Sequence, residues 1–273
     1  MKNRNAIIGN VKIKNGMVYK KINNPKCGYL FDYLNSMNFN NIPDYRFNDK
    51  YITYPYIDDL SIKNDLKAKE LINLIASLHS KTSYTKDLDL NVINQLKDKY
   101  LSHVNYYQKY FYEFFLKNIN NNYYKPSTYL ILRNYTLIND YFNLTKKLIT
   151  DWYGVVSESK HIRLSVIHNN LSLSHFIHNQ DNYLISWDHF RNDFPVVDLA
   201  IFYQKYFNQF DNSSLFLDYL KINPLTEDEM MLFKILLLLN FTYSEEETTM
   251  GRLKNDTIFI LYLKKTMSLI KVL

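Results

Sequence analysis

Two nearby segments concentrate the side chains whose types and spacing could support chemistry. The first, SVIHNNLSLSHFI at residues 165–177, contributes His168, Asn170 and His175. The second, YLISWDHFRNDFPVVDLA at residues 183–200, contributes Ser186, Asp188 and Asp198. Imidazole, amide, hydroxyl and carboxylate groups can exchange protons, orient a hydroxyl group or bind a metal ion. Ser186 and Asp188 are two positions apart, so on an extended strand both side chains would face the same side.

A hairpin over residues 166–187 is predicted to position both segments. β-branched and aromatic residues flank the sequence NQDN at 179–182, which is a typical turn signal. We therefore expect the polar side chains to lie on a short β element inside an otherwise helical region.

A second hairpin is predicted near the N-terminus. Residues 6–22 alternate apolar and polar side chains around Asn15-Gly16, a pair that favours a tight turn. Residues 28–39 carry apolar side chains at helical spacing, and residues 50–57 resemble another strand. Because neighbouring strand residues face opposite ways, only one of Lys20 and Lys21 can point into a site.

The rest of the chain is predicted to be helical, and the fold class is α+β. We expect a small β-rich lobe at 1–57 and a large helical lobe at 58–273 that carries the 166–187 hairpin. The predicted helices of the large lobe begin with DLKAKELINLIASLHSKT after Ser61 and continue at 90–119, 127–150, 196–210, 226–241 and 256–271.

These motifs resemble a known family in their order and spacing. VIHNNLSLSHFI resembles the catalytic loop of the aminoglycoside phosphotransferase and choline kinase-like superfamily, and YLISWDHFRNDFPVVDLA resembles its Ile-Asp-Trp segment followed by Asp-Leu-Ala. MVYKKI at 17–22 is similar to the nucleotide-lysine strand, and LIASLHSKT at 74–82 to the helix after the hinge. The resemblance implies a two-lobe, protein kinase-like fold, and the wording FRNDFPVVDLA is similar to the spore-coat-associated branch.

The resemblance implies a phosphotransferase site with altered residues. Lys20 matches the phosphate-binding lysine, whereas Asn170 and Ser186 stand where relatives carry the catalytic and the metal-binding aspartate. An amide cannot accept a proton at neutral pH, and the loss of a general base typically costs about 10²- to 10⁴-fold in rate. His175 falls on the second metal position, where Mg²⁺ would prefer an oxygen donor. Asp188, two residues beyond Ser186, is the candidate substitute metal ligand.

Several residues have simpler roles. We expect His168 to shape the loop and Asp198 to bond backbone amides of that loop, as the resemblance implies. His79 is expected to cap or pack its helix, and Cys27 to be a small apolar residue. Asp32 is the only acid on the first helix that could partner Lys20.

Composition limits the classes of function. The 273 residues carry a net charge of +6, which favours acidic partners, but the lysines are dispersed, so nucleic acid is not an expected partner. A single cysteine excludes an internal disulfide. The first residues lack an apolar signal segment, and no apolar run is long enough to span a bilayer, so we expect a cytoplasmic protein without a membrane anchor.

Two functional hypotheses follow from the altered residues. The first is a catalytically impaired pseudokinase, a binding or scaffold module with a nucleotide, small-molecule or protein partner. The second is an active ATP-dependent phosphotransferase on a small-molecule hydroxyl or a protein, with Asp188 holding the metal. The expected cofactor is ATP with Mg²⁺ under the second hypothesis, and the first allows none.

Overall fold

The computed structural model describes residues 6–8, 11–21, 26–47, 50–244 and 248–273. Ten strands in this part of the chain are β1 (Ala6–Ile8), β2 (Val11–Lys14), β3 (Met17–Lys21), β4 (Arg46–Phe47), β5 (Tyr51–Pro55), β6 (Tyr84–Asp87), β7 (His161–Ile167), β8 (Phe176–Ile177), β9 (Tyr183–Leu184) and β10 (Arg191–Asp193). The helices described are α1 (Cys27–Ser36), α2 (Asn64–Thr82), α3 (Leu90–Asn118), α4 (Pro126–Arg133), α5 (Tyr135–Glu158), α6 (Val196–Tyr206), α7 (Asn212–Ile222), α8 (Glu227–Leu239) and α9 (Thr249–Leu269). The predicted α+β class is confirmed.

The N-terminal strands form an antiparallel sheet in the order β1-β2-β3-β5-β4. The predicted turn between β2 and β3 is confirmed, since Asn15 (φ 52°) and Gly16 (φ 73°) both adopt the left-handed backbone that a two-residue hairpin turn requires. The carbonyl of Gly16 also accepts a hydrogen bond from the amide of Tyr56 at 2.8 Å. Residues 9, 10 and 22 of the predicted 6–22 hairpin lie outside the described residues.

Helix α1 packs through one apolar face. Cys27, Leu30, Phe31 and Leu34 are buried, and the Phe31 ring stacks on Tyr45 with centroids 4.2 Å apart. The sequence pattern extends this helix to residue 39, but the helix ends at Ser36 and Met37 is exposed. Phe39 is fully buried even though it lies beyond the helix, so the apolar pattern continued where the helical backbone did not.

The predicted hairpin turn at 179–182 is also confirmed. Phe176 and Ile177 of β8 pair with Leu184 and Tyr183 of β9, and Asn182 in the connection has a positive φ of 48°. The segment is preceded by β7, whose end pairs with β10 in the register Ile167 to Arg191.

The helical region differs from its prediction in three places. The helix predicted at 127–150 is two helices, because the chain turns at Asn134 (φ −103°, ψ 12°) between α4 and α5. Helix α7 was not predicted, and α9 begins at Thr249 rather than at residue 256. Thr248 accepts a hydrogen bond from the amide of Gly251 and so caps that earlier start.

The chain divides into two compact units. One contains Met1–Tyr84, Leu164–Asp198 and Leu215–Pro224, and the other contains Thr85–Arg163, Leu199–Ser214 and Leu225–Leu273. The first unit holds the antiparallel sheet, α1, α2 and the β8–β9 hairpin. In the second unit α3 and α8 pack on α5, and α4 packs on α9. The lobe boundary at residue 57 stays a prediction. No helix in the described ranges has both the length and the apolarity needed to cross a membrane.

Candidate active site

Lys20 is the lysine of β3 that points inward. It lies opposite Val11 of β2 and Ile52 of β5, and its side chain is 14% exposed, whereas the neighbouring Lys21 is exposed. This difference follows from the alternation of side chains along a strand. Of the two lysines in the motif, Lys20 therefore has the geometry expected of a site residue.

The ammonium group of Lys20 forms an ion pair with the carboxylate of Asp188. The Asp188 side chain is 15% exposed, so the pair is largely removed from water. Asp32, the acid of α1 that the sequence offered as a partner, is exposed. Because α1 turns Phe31 and Leu34 inward, Asp32 lies on its outer face.

Asp188 reaches Lys20 through a sharp turn that begins at Ser186. Ser186 has a left-handed backbone (φ 68°, ψ 50°), and Trp187–His189 form a short 3₁₀ helix. The expectation that Ser186 and Asp188 share one face of an extended strand is therefore wrong. A left-handed non-glycine residue costs about 1–2 kcal/mol, and the buried Trp187 anchors the turn by donating from its indole nitrogen to the Leu184 carbonyl at 3.0 Å.

Asp198 lies beneath the loop that contains His168 and Asn170. Its two carboxylate oxygens accept hydrogen bonds from the backbone amides of His168 and Asn169, each at 2.7 Å. The side chain is fully buried. Burial alone would raise the pKa of Asp198, but hydrogen bonding and charge from His79, together with the His168 amide, hold that pKa below its usual value of 3.8. These contacts agree with the structural role predicted for Asp198, which is to hold the backbone of the loop. That role stays a prediction.

His168 is also fully buried. Its Nε2 donates to the carbonyl of Ile185 at 2.9 Å, and its ring lies edge-on to Trp187 with centroids 5.0 Å apart. These contacts join the loop to the turn at Ser186. They agree with the loop-shaping role predicted for His168, a role that is not tested.

His175 is bonded within the same loop. Its Nδ1 donates to the backbone carbonyl of Asn170 at 2.8 Å, because a carbonyl can only accept. That nitrogen carries the hydrogen of this bond, so it has no lone pair with which to bind a metal ion. The rings of His168 and His175 lie 5.7 Å apart, so the structure brings the histidines of this motif together.

The residues at these positions do not fit a resident Mg²⁺ ion. Mg²⁺ is held by carboxylate, phosphate and water oxygens in near-octahedral geometry. Ser186 offers a neutral hydroxyl, and the carboxylate of Asp188 is already bound by Lys20. Nowhere in the described ranges do three or more His, Cys, Asp or Glu side chains form a group that could hold a metal ion.

The negative charge of Asp188 affects its buried neighbours. Burial and, next, the charge of Asp188 raise the pKa of the Cys27 thiol to about 11. The same two causes raise the pKa of Tyr54 to about 12. Cys27 is 1% exposed and its Sγ lies 3.8 Å from the carbonyl of Trp187, so it is a protonated packing residue, as predicted.

Sequence reasoning missed Tyr219, whose hydroxyl group contacts His79 in this cluster. His79 donates from Nε2 to Asp198 at 3.2 Å, while its Nδ1 lies 2.8 Å from the hydroxyl of Tyr219. His79 and Tyr219 are both fully buried. His79 packs its helix as predicted, but no local signal marks Tyr219, which is 140 residues away in the chain.

A mostly apolar cavity of about 560 Å³ lies next to α1 and β10 in the same unit. It is lined by Lys26, Tyr29, Leu30, Tyr33, Tyr84, Val166, Phe190 and Asn192. Its aromatic and aliphatic walls suit a ring or an apolar side chain better than a phosphate group.

Of the known proteins compared with this chain, only solved structures match it. No protein family model matches the sequence, and no curated protein does. An aminoglycoside phosphotransferase from Alicyclobacillus acidocaldarius matches with a TM-score of 0.65 and 11% identity, over 97% of this chain and 91% of that chain. A spectinomycin phosphotransferase solved with ADP and spectinomycin matches with a TM-score of 0.52 and 11% identity, over 99% of this chain and 92% of that chain.

A third match is a choline/ethanolamine kinase family protein from Mesorhizobium loti, with a TM-score of 0.51 and 11% identity, over 98% of this chain and 92% of that chain. At this identity the likeness concerns the fold. The placement in the spore-coat-associated branch stays a prediction. The fold predicted from the sequence motifs is confirmed, since the chain has the protein kinase-like fold of these aminoglycoside phosphotransferases and of this choline/ethanolamine kinase family protein.

Proposed function

We propose that this chain is a pseudokinase, a kinase-fold protein that binds a ligand or partner and does not transfer phosphate. One observation carries the proposal: the ion pair between Lys20 and Asp188. Phosphoryl transfer requires a lysine on the phosphates and carboxylates on the metal ion. Here the candidate lysine and the one carboxylate next to Ser186 neutralise each other.

The remaining substitutions act in the same direction. Asn170 cannot accept the proton of an attacking hydroxyl, and Ser186 gives a metal ion no charge. The fixed parts of the loop are nevertheless intact, since Asp198 and His168 still hold its backbone. A preserved scaffold with neutralised reactive positions is what a binding module of this fold would keep.

The proposed ligand is a nucleotide held without metal. The spectinomycin phosphotransferase that shares the fold was solved with ADP, and Lys20 is the side chain of this site that suits a phosphate. Binding requires Lys20 to exchange Asp188 for the phosphate, so we expect weak affinity.

The second candidate is an active phosphotransferase in which Asp188 holds the metal. The favourable observation is that Asp188 lies within one turn of Ser186. Its carboxylate would have to leave Lys20 to bind a metal ion. The two candidates therefore differ in what the removal of Asp188 does.

The test measures ATP binding and ADP formation with Mg²⁺ or Mn²⁺ in the unmodified protein, in Asp188→Ala and in the double variant Asn170→Asp/Ser186→Asp. We expect no turnover above a Lys20→Met background in the unmodified protein. The double variant should gain Mg²⁺-dependent nucleotide binding, because it restores a metal carboxylate. Turnover in the unmodified protein that disappears in Asp188→Ala would establish the active enzyme and reject the pseudokinase.

A further inference from the structure

A second, polar cavity lies in the other compact unit, around the ends of α3, α4 and α9. Its volume is about 510 Å³, within the range of small-molecule sites. Three separate elements contribute a cationic side chain to its wall, namely Lys117 of α3, Lys125 before α4 and Arg252 of α9. We propose that this cavity binds a small phosphate monoester whose body carries hydroxyl groups.

The charge of the wall favours an anion. No Asp or Glu of the described ranges lines the cavity, so all the charged residues of its described wall are cationic. Like charges that share a cavity repel, and a dianion placed between them removes that repulsion. The carboxylate of Asp256, 1% exposed, accepts a hydrogen bond from the hydroxyl of Ser127 and does not line the cavity.

Arg252 is held at the wall by an aromatic ring. Its guanidinium carbon lies 5.7 Å from the centre of the Phe114 ring, which also lines the cavity. A guanidinium already in contact with a ring loses less side-chain freedom when it binds a ligand, and its planar donors match two phosphate oxygens. Helix α4 adds a smaller contribution, because no side chain caps its first turn, which begins at Pro126.

The rest of the lining suits a hydroxylated body. The side chains of Asn118, Asn121, Thr128, Thr248 and Thr249 line the same cavity and carry amide or hydroxyl groups. Such groups can donate and accept hydrogen bonds with sugar hydroxyls. A cavity of this volume leaves room beyond a bare phosphate ion.

The experiment titrates the full chain with glucose 6-phosphate, inorganic phosphate and glucose by calorimetry. Glucose 6-phosphate should bind more tightly than inorganic phosphate, and glucose should not bind. Lys125→Gln and Arg252→Gln should each weaken glucose 6-phosphate binding about tenfold or more, since each removes a charge-assisted hydrogen bond. Lys254→Gln, an exposed lysine of α9 outside the cavity, is the matched control and should change nothing.

A Lys20→Met variant separates this cavity from the nucleotide site and should bind glucose 6-phosphate normally. The proposal is overturned if neither phosphate compound binds at millimolar concentration. Equal binding in the Lys125→Gln/Arg252→Gln double variant would also overturn it. Equal affinity for inorganic phosphate and glucose 6-phosphate would show that the cavity does not recognise the hydroxyl-bearing part of the ligand, and would reject that part of the proposal.

Discussion

Asp198 is the carboxylate on which the loop of the candidate site depends most. It is fully buried and accepts hydrogen bonds from two backbone amides and from His79. Asp198→Ala leaves these donors buried without an acceptor, so we expect the free energy of unfolding to fall by about 3–5 kcal/mol. Urea unfolding at neutral pH measures the loss. The control Asp44→Ala removes an exposed carboxylate and should change stability by less than about 0.5 kcal/mol.

The lowered pKa of Asp198 gives a second prediction at this residue. Its pKa in the folded chain lies below the ordinary 3.8, so its ionised form stabilises the fold above that pH. This contribution is complete at neutral pH and disappears as the pH falls through the folded pKa. The difference in unfolding free energy between the unmodified protein and Asp198→Asn should therefore shrink below pH 3.8. A constant difference from pH 7 down to pH 2 would contradict the assignment.

Single residues show how much of the site a sequence can predict. The motifs located Lys20, His168, Asn170, His175, Ser186, Asp188 and Asp198, and the structure brings them into one unit. The pairing of Lys20 with Asp188 joins positions 168 residues apart and depends on the left-handed backbone of Ser186. A serine gives no local signal for that conformation, because only surrounding packing stabilises it.

The hairpin of β2 and β3 positions Lys20, and its turn depends on Gly16. Gly16 has φ 73°, and an added Cβ would meet no atom within 4 Å, so the cost of a side chain there is conformational rather than steric. Gly16→Ala should lower the free energy of unfolding by about 1–2 kcal/mol in urea titrations. Asn15→Gly is the matched control at the neighbouring left-handed position and should cost little. A neutral Gly16→Ala would show that the turn contributes nothing to stability.

Strand β7 and helix α8 are joined by an ion pair in which the carboxylate is buried and the arginine side chain is 27% exposed. Arg163 donates from Nε and Nη2 to Glu229 at 2.7 and 2.5 Å, and Glu229 is 1% exposed. Arg163→Met leaves a buried charge and should cost about 3–5 kcal/mol of unfolding free energy. In Arg163→Met/Glu229→Gln the charge is gone and an amide oxygen still accepts from the Thr226 amide, so most stability should return.

Lys109→Met is the comparison for that ion pair. Lys109 and Glu113 form an exposed pair at 3.8 Å on α3, and exposed pairs contribute at most about 1 kcal/mol. Urea unfolding of the three variants measures the contrast. A similar loss in Lys109→Met and Arg163→Met would show that burial of Glu229 does not matter.

At the scale of the whole molecule, periodicity and turn signals predicted the class and most elements. These signals failed where the boundary of a helix depends on packing with distant residues. The turn at Asn134 divides one apolar pattern into α4 and α5. Helix α7 was missed because it carries no long periodic run. The kinase-like fold was predictable because the motifs that indicate it occur in the expected order along the chain. The function of the chain could not be predicted in the same way, because ligand binding depends on charged side chains that come together only in the folded structure.

The thermal stability of the whole molecule with and without ADP tests whether Asp188 competes with a ligand for Lys20. A ligand that binds the folded chain stabilises it by about 2.7 kcal/mol at a hundred times its Kd. Because Asp188 neutralises Lys20, we expect ADP to raise Tm modestly and equally with and without Mg²⁺. Asp188→Asn frees Lys20 and should increase the shift, whereas Asp32→Asn removes an exposed acid of the same unit and should not. A shift that requires Mg²⁺ and disappears in Asp188→Asn would instead make Asp188 a metal ligand.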